Sequence, residues 1–311
     1  MKLINGPSNF YPAEYYLGSV INFRNGQNDS VSLGSWLWNG SFIKNQDTER
    51  AYYADIDTIF AFLILNNINE LYVSANSLVN SPVAPAGKLT FAEFGVFVNR
   101  CYRYGIKVDA LLDNTGSWLN NQTPFYNYIN LISQYQTQAA PTQKLRAVHL
   151  DFEPHISYNL DEHPEIVAKF AEFISKHAYP AISGLNMQFG FSIPHWYTNF
   201  NVTDGGQTMT LSELVFKYCN YVSIMSYWDT ATGIYTRIED EIVFAKKYNR
   251  RLNASIESIY TEEGPGLSFA EDGKGVMAAQ MTLLRQMLDN VEGLKFGLSV
   301  HHVYTWYALQ E

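Results

Sequence analysis

Two carboxylates and an imidazole occupy alternate positions in segment 145–155, whose sequence is LRAVHLDFEPH. Successive side chains of a β-strand point to opposite faces, so His149, Asp151 and Glu153 share one face and the apolar Leu150 and Phe152 share the other. Burying a charge is costly unless it is paired, and perturbed acids cluster at functional sites. The pattern favours a catalytic pocket over carboxylates buried for structure and satisfied by Arg or backbone donors.

Alternating strand and helix signals from residue 35 onward predict the fold. Strands are predicted over 35–39, 70–76, 107–114, 145–153, 187–196, 221–229, 251–260 and 294–306. Helical periodicity separates them over 48–68, 89–105, 123–138, 161–182, 210–220, 235–249 and 275–293. Strand followed by helix, repeated, gives parallel pairing through right-handed crossovers, and eight such units in about 250 residues match a closed barrel. We therefore predict an α/β fold, a (β/α)8 TIM barrel.

The barrel is predicted to be a single domain over residues 35–311, because no linker interrupts the alternation. Residues 1–34, rich in Asn, Gly and Tyr, are expected to form an N-terminal extension that covers the barrel. A final helix is expected to be missing, since only YALQE follows Trp306. The alternative of an open doubly wound sheet lacks support, because no GxGxxG motif follows the first strand.

Barrel enzymes place their catalytic groups at the C-terminal ends of the strands. Residues expected to bind substrate there are Trp38, Asn76, Asp113, His149, His195, Trp196, Met225, Trp228, His302, Tyr304 and Trp306. All six tryptophans of the chain fall on predicted strands or in the loops just after them. Flat apolar rings with a polar edge suit the faces of sugar rings. Carboxylates in an aromatic-lined cleft are typical of glycoside hydrolysis.

The fourth predicted strand resembles that of the family 18 glycoside hydrolases, the chitinase-like barrels. Their signature is Asp-x-x-Asp-x-Asp-x-Glu, and its last two acids match Asp151 and Glu153, whereas Arg146 and His149 stand at the two earlier acidic positions. The family's sixth-strand Met-x-Tyr-Asp is similar to residues 225–228, which read MSYW. The resemblance covers the barrel as a whole, with short matches on three strands, and implies a remote relative.

The resemblance implies that Glu153 protonates the leaving oxygen while the substrate's own 2-acetamido group attacks the anomeric carbon. Asp151 and Tyr227 would position that group, and Trp306 would form the floor of the sugar subsite. The expected substrate is a glycan that contains an N-acetylhexosamine. Independently of the resemblance, an ionised Asp151 two residues away is expected to raise the pKa of Glu153, which suits a general acid near neutral pH.

Two alternatives remain open. Many retaining glycosidase barrels carry an acid/base Glu in Asn-Glu-Pro after strand four and a nucleophilic Glu after strand seven. This chain is similar in having Glu153 between Phe152 and Pro154, together with Glu257, and the two glutamates would then lie about 5 Å apart. The other alternative is a lectin-like barrel that binds glycan without hydrolysing it, through Trp38, Trp196, Trp228 and Trp306.

The composition of the chain limits the kinds of ligand and partner that we expect it to bind. The net charge of −9 gives no attraction to nucleic acid or to an anionic membrane, and no apolar run reaches the length of a membrane span. The expected partner is an oligosaccharide or polysaccharide, with no cofactor and no metal; a site made of His149, His301, His302 and Asp113 is the weaker alternative. Cys101 and Cys219 are expected to be buried free thiols.

The sequence leaves two questions open: where in the cell the protein acts, and what the segment 261–273 does. The first six residues, MKLING, are too short and too polar for a signal peptide, so we expect a cytoplasmic protein, or a secreted one if a leader was removed. The acidic, glycine-rich segment 261–273 is read either as a lid over the cleft or as an ordinary solvated loop.

Overall fold

A computed structural model describes residues 31–38, 56–262, 264 and 266–311. Eight parallel strands form a closed barrel in which each strand pairs with its neighbours along the chain and the eighth pairs with the first. The strands, numbered first to eighth below, are Ser32–Leu37, Glu70–Ser74, Lys107–Asn114, Ala147–Phe152, Gln188–Pro194, Tyr221–Met225, Arg251–Glu257 and Lys295–His301. This architecture confirms the predicted α/β TIM barrel as a single domain.

Helices connect successive strands and pack around the barrel. They are Ile56–Leu65, Phe91–Arg103, Thr123–Gln138, Pro164–Glu172, Leu211–Tyr218, Glu239–Tyr248 and Gly273–Asp289. The second begins with a capping box, in which the Thr90 hydroxyl accepts from the Glu93 amide at 3.1 Å and the Glu93 carboxylate accepts from the Thr90 amide at 2.8 Å. Local signals of this kind explain why the helix boundaries lie close to the predicted ones. No helix in the described part of the chain is long and apolar enough to span a membrane.

The end of the chain differs from the sequence-based expectation. The eighth strand ends at His301, and Val303–Ala308 forms a short helix, so a final helix is present. The ring nitrogen Nδ1 of His302 accepts a hydrogen bond from the Tyr304 amide at 3.3 Å, which caps the start of this helix. At the other end, the first strand already begins at Ser32, while residues 1–30 of the predicted extension lie outside the described residues.

Buried ion pairs fill the N-terminal end of the barrel. Arg146 donates to both Glu70 and Asp109, and Arg251 donates to Glu70 with two bonds of 2.7 Å. Burial by itself raises the pKa of Glu70, but the two guanidinium groups outweigh burial and hold that pKa at about 2. Above these pairs the interior is packed with Trp36, Tyr72, Leu111, Ala147 and Tyr221. These side chains separate the ion pairs from the C-terminal ends of the strands.

The apolar layer between the strands and the helices forms the main core. It contains the alternate residues of the fourth strand, Leu150 and Phe152, both fully buried. Their placement confirms the predicted division of that strand into an apolar face toward the helices and a polar face toward the barrel axis. Cys101 and Cys219 are both free and buried, as expected from the sequence.

Candidate active site

A cavity of about 460 Å³ opens at the C-terminal end of the barrel. Every strand of the barrel except the second contributes to its wall, either directly or through the residues that follow it. The lining residues are Trp36, Trp38, Asp113, Asn114, Thr115, Asp151, Glu153, Ser192, Met225, Tyr227, Glu257, Ile259, His301 and His302. The size falls in the range of small-molecule sites, and the wall combines carboxyl groups with aromatic rings.

Three carboxyl groups meet on one side of the cavity. Asp113 lies at the end of the third strand, Asp151 lies at the end of the fourth, and Glu153 directly follows the fourth; all three line the cavity. Burial raises the pKa of Glu153, and the charge of Asp113 raises it further, against the opposing influence of His301. Burial also raises the pKa of Asp151 well above its usual range, with further contributions from Glu153 and Asp113. Such a cluster holds protons at a pH where isolated carboxyl groups have lost them.

The cause of the raised pKa of Glu153 differs from the expected one. Its direction agrees with the sequence-based expectation, but burial and Asp113 produce it rather than a charged Asp151. The effect of one carboxyl group on the other appears at Asp151, the deeper of the two, whose pKa is raised by the charge of Glu153. The Glu153 side chain is 22% exposed and reaches the cavity, where its nearest ring nitrogen, Nε2 of His155, lies 3.7 Å away. A distance of 3.7 Å is too long for a hydrogen bond, so the carboxyl is free to meet a substrate.

Unlike Glu153, Glu257 has its carboxyl group held by several hydrogen bonds. Its Oε1 accepts hydrogen bonds from the amides of Ser258 at 2.7 Å and Ile259 at 2.8 Å, and its Oε2 accepts from Nδ1 of His301 at 2.9 Å. The indole N–H of Trp38 donates to Nε2 of His301 at 2.8 Å. Because an indole nitrogen can only donate, Nε2 must be unprotonated and the ring proton must lie on Nδ1. Three donors therefore fix Glu257 as an oriented carboxylate.

Two polar atoms of the cavity wall have no hydrogen-bond partner among the described residues. They are Nε1 of Trp36 and Oδ1 of Asp151. Both side chains are more than nine-tenths buried. A buried donor and a buried acceptor left unpaired are energetically unfavourable, and a bound ligand can satisfy them.

The structure brings eight of the sequence-predicted site residues together in this cavity. They are Trp38, Asp113, Asp151, Glu153, Met225, Tyr227, Glu257 and His302. The pKa of Tyr227, which lines the cavity together with the three acids, is raised well above its usual range by burial and by the charges of Glu257, Asp151 and Glu153. Asn76 lies at the edge of the group, where its amide donates to Asp113. His195 contacts the carbonyl of Met225 at 3.3 Å.

The remaining predicted site residues lie elsewhere. Trp306 is only 4% exposed and packs edge-on against Phe62, with ring centroids 5.3 Å apart, so it does not form the floor of the pocket as expected. Tyr304 lies on the same short helix and is buried. The expectation fails for both because the eighth strand ends earlier than predicted.

Three more predicted contacts are also absent from the cavity wall. His149 is fully buried below the cavity, where its two ring nitrogens contact Tyr221 and Ser192. The guanidinium carbon of Arg237 lies over the Trp228 ring, 3.8 Å from the ring centroid. Trp196 packs edge-on against the ring of His155. The nitrogens of His149 and Nδ1 of His301 thus have protein partners, which argues against the weaker alternative of a metal site.

Six residues of the cavity wall were not among those predicted for catalysis or substrate binding, although His301 was named for the alternative metal site. They are Trp36, Asn114, Thr115, Ser192, Ile259 and His301. For Ser192 a signal existed, because it alternates with Gly190 among the apolar Phe189, Phe191 and Ile193 of the fifth strand. Small residues on the inward face of a strand leave room for a pocket. His301 lies opposite Glu257 in the register of the last two strands, a pairing that the sequence does not contain.

Comparison with known proteins supports the fold. No model of a known protein family matches the chain, and no curated protein matches it either. A β-1,4-D-mannanase from Cryptopygus antarcticus is similar in structure, with 11% sequence identity, a TM-score of 0.50, and coverage of 88% of this chain and 85% of that one. At this identity the likeness shows a shared barrel fold.

Two further solved structures are also similar. A family 18 chitinase from Pseudoalteromonas aurantia has 9% identity and a TM-score of 0.47, and the match covers 88% of this chain and 94% of that one. An endo-β-N-acetylglucosaminidase from Cordyceps militaris has 15% identity and a TM-score of 0.47, with coverage of 94% and 87%. The structures that this barrel is similar to thus include several glycoside hydrolases.

Proposed function

We propose that the protein is a retaining glycoside hydrolase that acts on a glycan containing an N-acetylhexosamine, with Glu153 as general acid and base. The observation that carries the proposal is the carboxyl cluster at the barrel mouth, in which burial and Asp113 raise the pKa of Glu153 while its side chain still reaches the cavity. A general acid that keeps its proton near neutral pH is what protonation of a glycosidic oxygen requires.

Attack by the substrate's own acetamido group is the favoured mechanism. Asp151 supports it, because this residue lines the cavity and its buried Oδ1 has no partner among the described residues, so the carboxyl group can accept a hydrogen bond from the acetamido N–H. The hydroxyl of Tyr227 lies in the same cavity and can donate to the acetamido carbonyl oxygen. Both contacts hold the carbonyl oxygen against the anomeric carbon as Glu153 protonates the leaving group. Water then opens the cyclic intermediate, with Glu153 now acting as base.

A second mechanism is favoured by one specific observation. The carboxyl group of Glu257 accepts hydrogen bonds from two backbone amides and from His301, and it lines the same cavity as Glu153. Its Oε2 accepts a single hydrogen bond from a described residue and so keeps a lone pair for attack on an anomeric carbon. In this mechanism Glu257 forms a covalent glycosyl intermediate, and no acetamido group is needed.

The test is a turnover assay on two panels of chromogenic substrates, N-acetylhexosaminides and plain hexosides. Wild type, Glu153→Gln and Glu257→Ala are compared, with azide added to the last variant as an external nucleophile. For the favoured mechanism we expect turnover of N-acetyl substrates only, lost in Glu153→Gln by about 10²-fold or more. Turnover of plain hexosides that is lost in Glu257→Ala and restored by azide would instead assign the attack to Glu257.

Absence of turnover by the wild-type protein on both panels would refute hydrolysis of these glycosides. Glycan binding without turnover, measured by calorimetry with N-acetylhexosamine oligomers, would then identify a lectin-like barrel. In that binding experiment the variant Trp38→Ala is compared with wild type, because Trp38 is a partly exposed aromatic residue of the cavity wall. Its loss of binding would show that the same cavity holds the glycan.

A further inference from the structure

A histidine lies beside Glu153, the proposed general acid. His155 follows the fourth strand, two residues after Glu153, and its Nε2 lies 3.7 Å from Oε1 of Glu153. Its other ring nitrogen, Nδ1, lies 2.9 Å from the hydroxyl oxygen of Tyr197. The ring packs edge-on against Trp196 and Tyr197, with centroids 5.0 Å and 5.7 Å apart. The imidazole thus lies between a buried phenol and the carboxyl group of Glu153.

Both members of the pair formed by His155 and Tyr197 are uncharged at neutral pH. Burial lowers the pKa of His155 to about 4, so the ring carries a single proton. Burial, together with the charges of Glu153 and Asp151, raises the pKa of Tyr197 well above its usual range, so the phenol keeps its proton. One hydrogen bond joins the two side chains, and its direction determines which nitrogen of His155 carries the ring proton.

The surroundings of the Tyr197 hydroxyl favour donation from Tyr197 to His155. The Tyr197 side chain is fully buried, and Nδ1 of His155 is the acceptor that the described residues offer to its proton. If Nδ1–H donated instead, the phenol proton would be buried without that acceptor, which is unfavourable. The lone pair of Nε2 would then also lie next to Oε1 of Glu153, where an ionised carboxyl group repels it. Tyr197 therefore donates to Nδ1, and the ring proton of His155 lies on Nε2.

We infer that His155 is a positioning residue for Glu153, and that Tyr197 fixes its tautomer so that Nε2–H is available to the Glu153 carboxylate. A protonated Glu153 needs no donor at Oε1, which agrees with the resting distance of 3.7 Å. When Glu153 loses its proton, a shift of about 0.7 Å brings Oε1 within hydrogen-bonding distance of Nε2. The bond formed in this way stabilises the carboxylate.

Glu153 ionises against burial and against other acids. The titratable groups around it are Asp151 on its own strand, Asp113 on the third, Tyr197 after the fifth, Tyr227 after the sixth, Glu257 on the seventh and His301 on the eighth. Burial and Asp113 raise the pKa of Glu153, and His301 lowers it. A donor on His155 acts in the same direction as His301, so it helps Glu153 to release its proton.

The consequence for catalysis rests on the proposed function, whereas the tautomer of His155 does not. In the first step Glu153 gives its proton to the leaving oxygen, and the glycosidic bond breaks as the acetamido oxygen bonds to the anomeric carbon. The carboxylate so formed accepts a hydrogen bond from Nε2–H of His155. Water then attacks the anomeric carbon and gives a proton back to Glu153. His155 donates a hydrogen bond throughout and transfers no proton itself.

The experiment uses nuclear magnetic resonance of the unliganded protein. With histidine labelled with ¹⁵N, the ring signals of His155 are assigned by their loss in His155→Gln, and we expect the proton on Nε2 at neutral pH. With glutamate labelled with ¹³C at the side-chain carboxyl, the resonance of Glu153 is assigned by its loss in Glu153→Gln. We expect the titration midpoint of Glu153 to rise by about 0.5 pH unit or more in His155→Phe, because the carboxylate loses its donor.

His155→Gln separates hydrogen bonding from packing. The terminal NH2 group of Gln can take the place of Nε2–H, so this variant should keep the wild-type midpoint of Glu153, although Phe matches the shape of the packed ring more closely.

His177→Phe is the matched control, because His177 also contacts a tyrosine hydroxyl through Nδ1, that of Tyr126 at 2.9 Å, but lies outside the cavity wall in the helical segment Phe173–Ala178. This variant should leave the midpoint of Glu153 unchanged. Three results would each overturn the inference: a midpoint in His155→Phe equal to that of His177→Phe, a midpoint in His155→Gln as high as in His155→Phe, or a wild-type ring protonated on Nδ1. Neither readout needs turnover, so failure of the proposed function leaves both interpretable.

Discussion

Replacement of Glu257 by Gln tests the hydrogen-bond arrangement on which the second carboxylate depends. The change preserves size and shape but replaces one accepting oxygen by a donating NH2 group. Within the described part of the chain, the carboxyl group of Glu257 meets three donors: the amides of Ser258 and Ile259 at Oε1, and Nδ1 of His301 at Oε2. Whichever way the amide of the new side chain is turned, its NH2 group faces at least one donor.

A change of tautomer at His301 cannot relieve this conflict. Moving the ring proton to Nε2 would let Nδ1 accept from the new amide, but Nε2 would then confront the indole N–H of Trp38, which now lies 2.8 Å away. A buried donor without an acceptor costs about 1–3 kcal/mol, and the charge-assisted bond that is lost is worth about 1.5–3 kcal/mol. We therefore expect Glu257→Gln to lower the free energy of unfolding by about 2–3 kcal/mol.

The assay is urea unfolding followed by circular dichroism for Glu257→Gln, Trp38→Phe and the double variant. Trp38→Phe removes the opposing donor, so His301 can change tautomer and accept from the new amide. The double variant is expected to be more stable than the sum of the single losses by about 1 kcal/mol. Glu153→Gln is the matched control: its carboxyl has no comparable set of donors and already has a raised pKa, so the same change should cost less than about 0.5 kcal/mol.

Two results would refute the reasoning. One is a Glu257→Gln variant as stable as Glu153→Gln, which would mean that the three donors do not constrain the side chain. The other is strict additivity in the cycle with Trp38→Phe, which would mean that Trp38 does not fix the tautomer of His301. Either result would also remove the observation that favours Glu257 as a nucleophile.

Two further predictions concern the acid and the barrel interior. Because the charge of Asp113 raises the pKa of Glu153, Asp113→Asn should move the alkaline limb of the pH profile of kcat/KM to lower pH; an unmoved limb would contradict this cause. Gly190→Ala should destabilise the barrel by about 2 kcal/mol or more in urea unfolding, because an added Cβ would lie 2.1 Å from the Tyr221 ring. Gly275→Ala is the control: its Cβ would meet open space on a helix, so this change should stabilise the protein by about 0.5–1 kcal/mol.

Much of the framework could be predicted from local sequence pattern. The eight strands and the helices between them follow from periodicity and capping signals, since these depend on residues close in the chain. Alternation along each strand also predicts which side chains face the axis: Asp113, Asp151, Tyr227 and Glu257 all reach the cavity as expected. The barrel rule then places their strand ends at one mouth.

The sequence was a poorer guide where an element ended or where neighbours on other strands mattered. Trp306 was expected at the cavity because the eighth strand was extended past His301, yet a short helix turns it into the apolar layer. Tryptophan suits both a core and a sugar platform, so residue type alone could not separate the two environments for Trp306 or for Trp228.

By itself, then, the sequence determined the repeating strand–helix pattern and the inward face of each strand, and it indicated Glu153, the acid that we propose for proton transfer. Only the tertiary structure decided how these groups are coupled. Closure of the barrel brings His301 beside Glu257 and aligns Tyr221, His149 and Ser192 from three different strands. The direction of a hydrogen bond and the protonation of a buried acid depend on every partner around it, and those partners are distant in the chain.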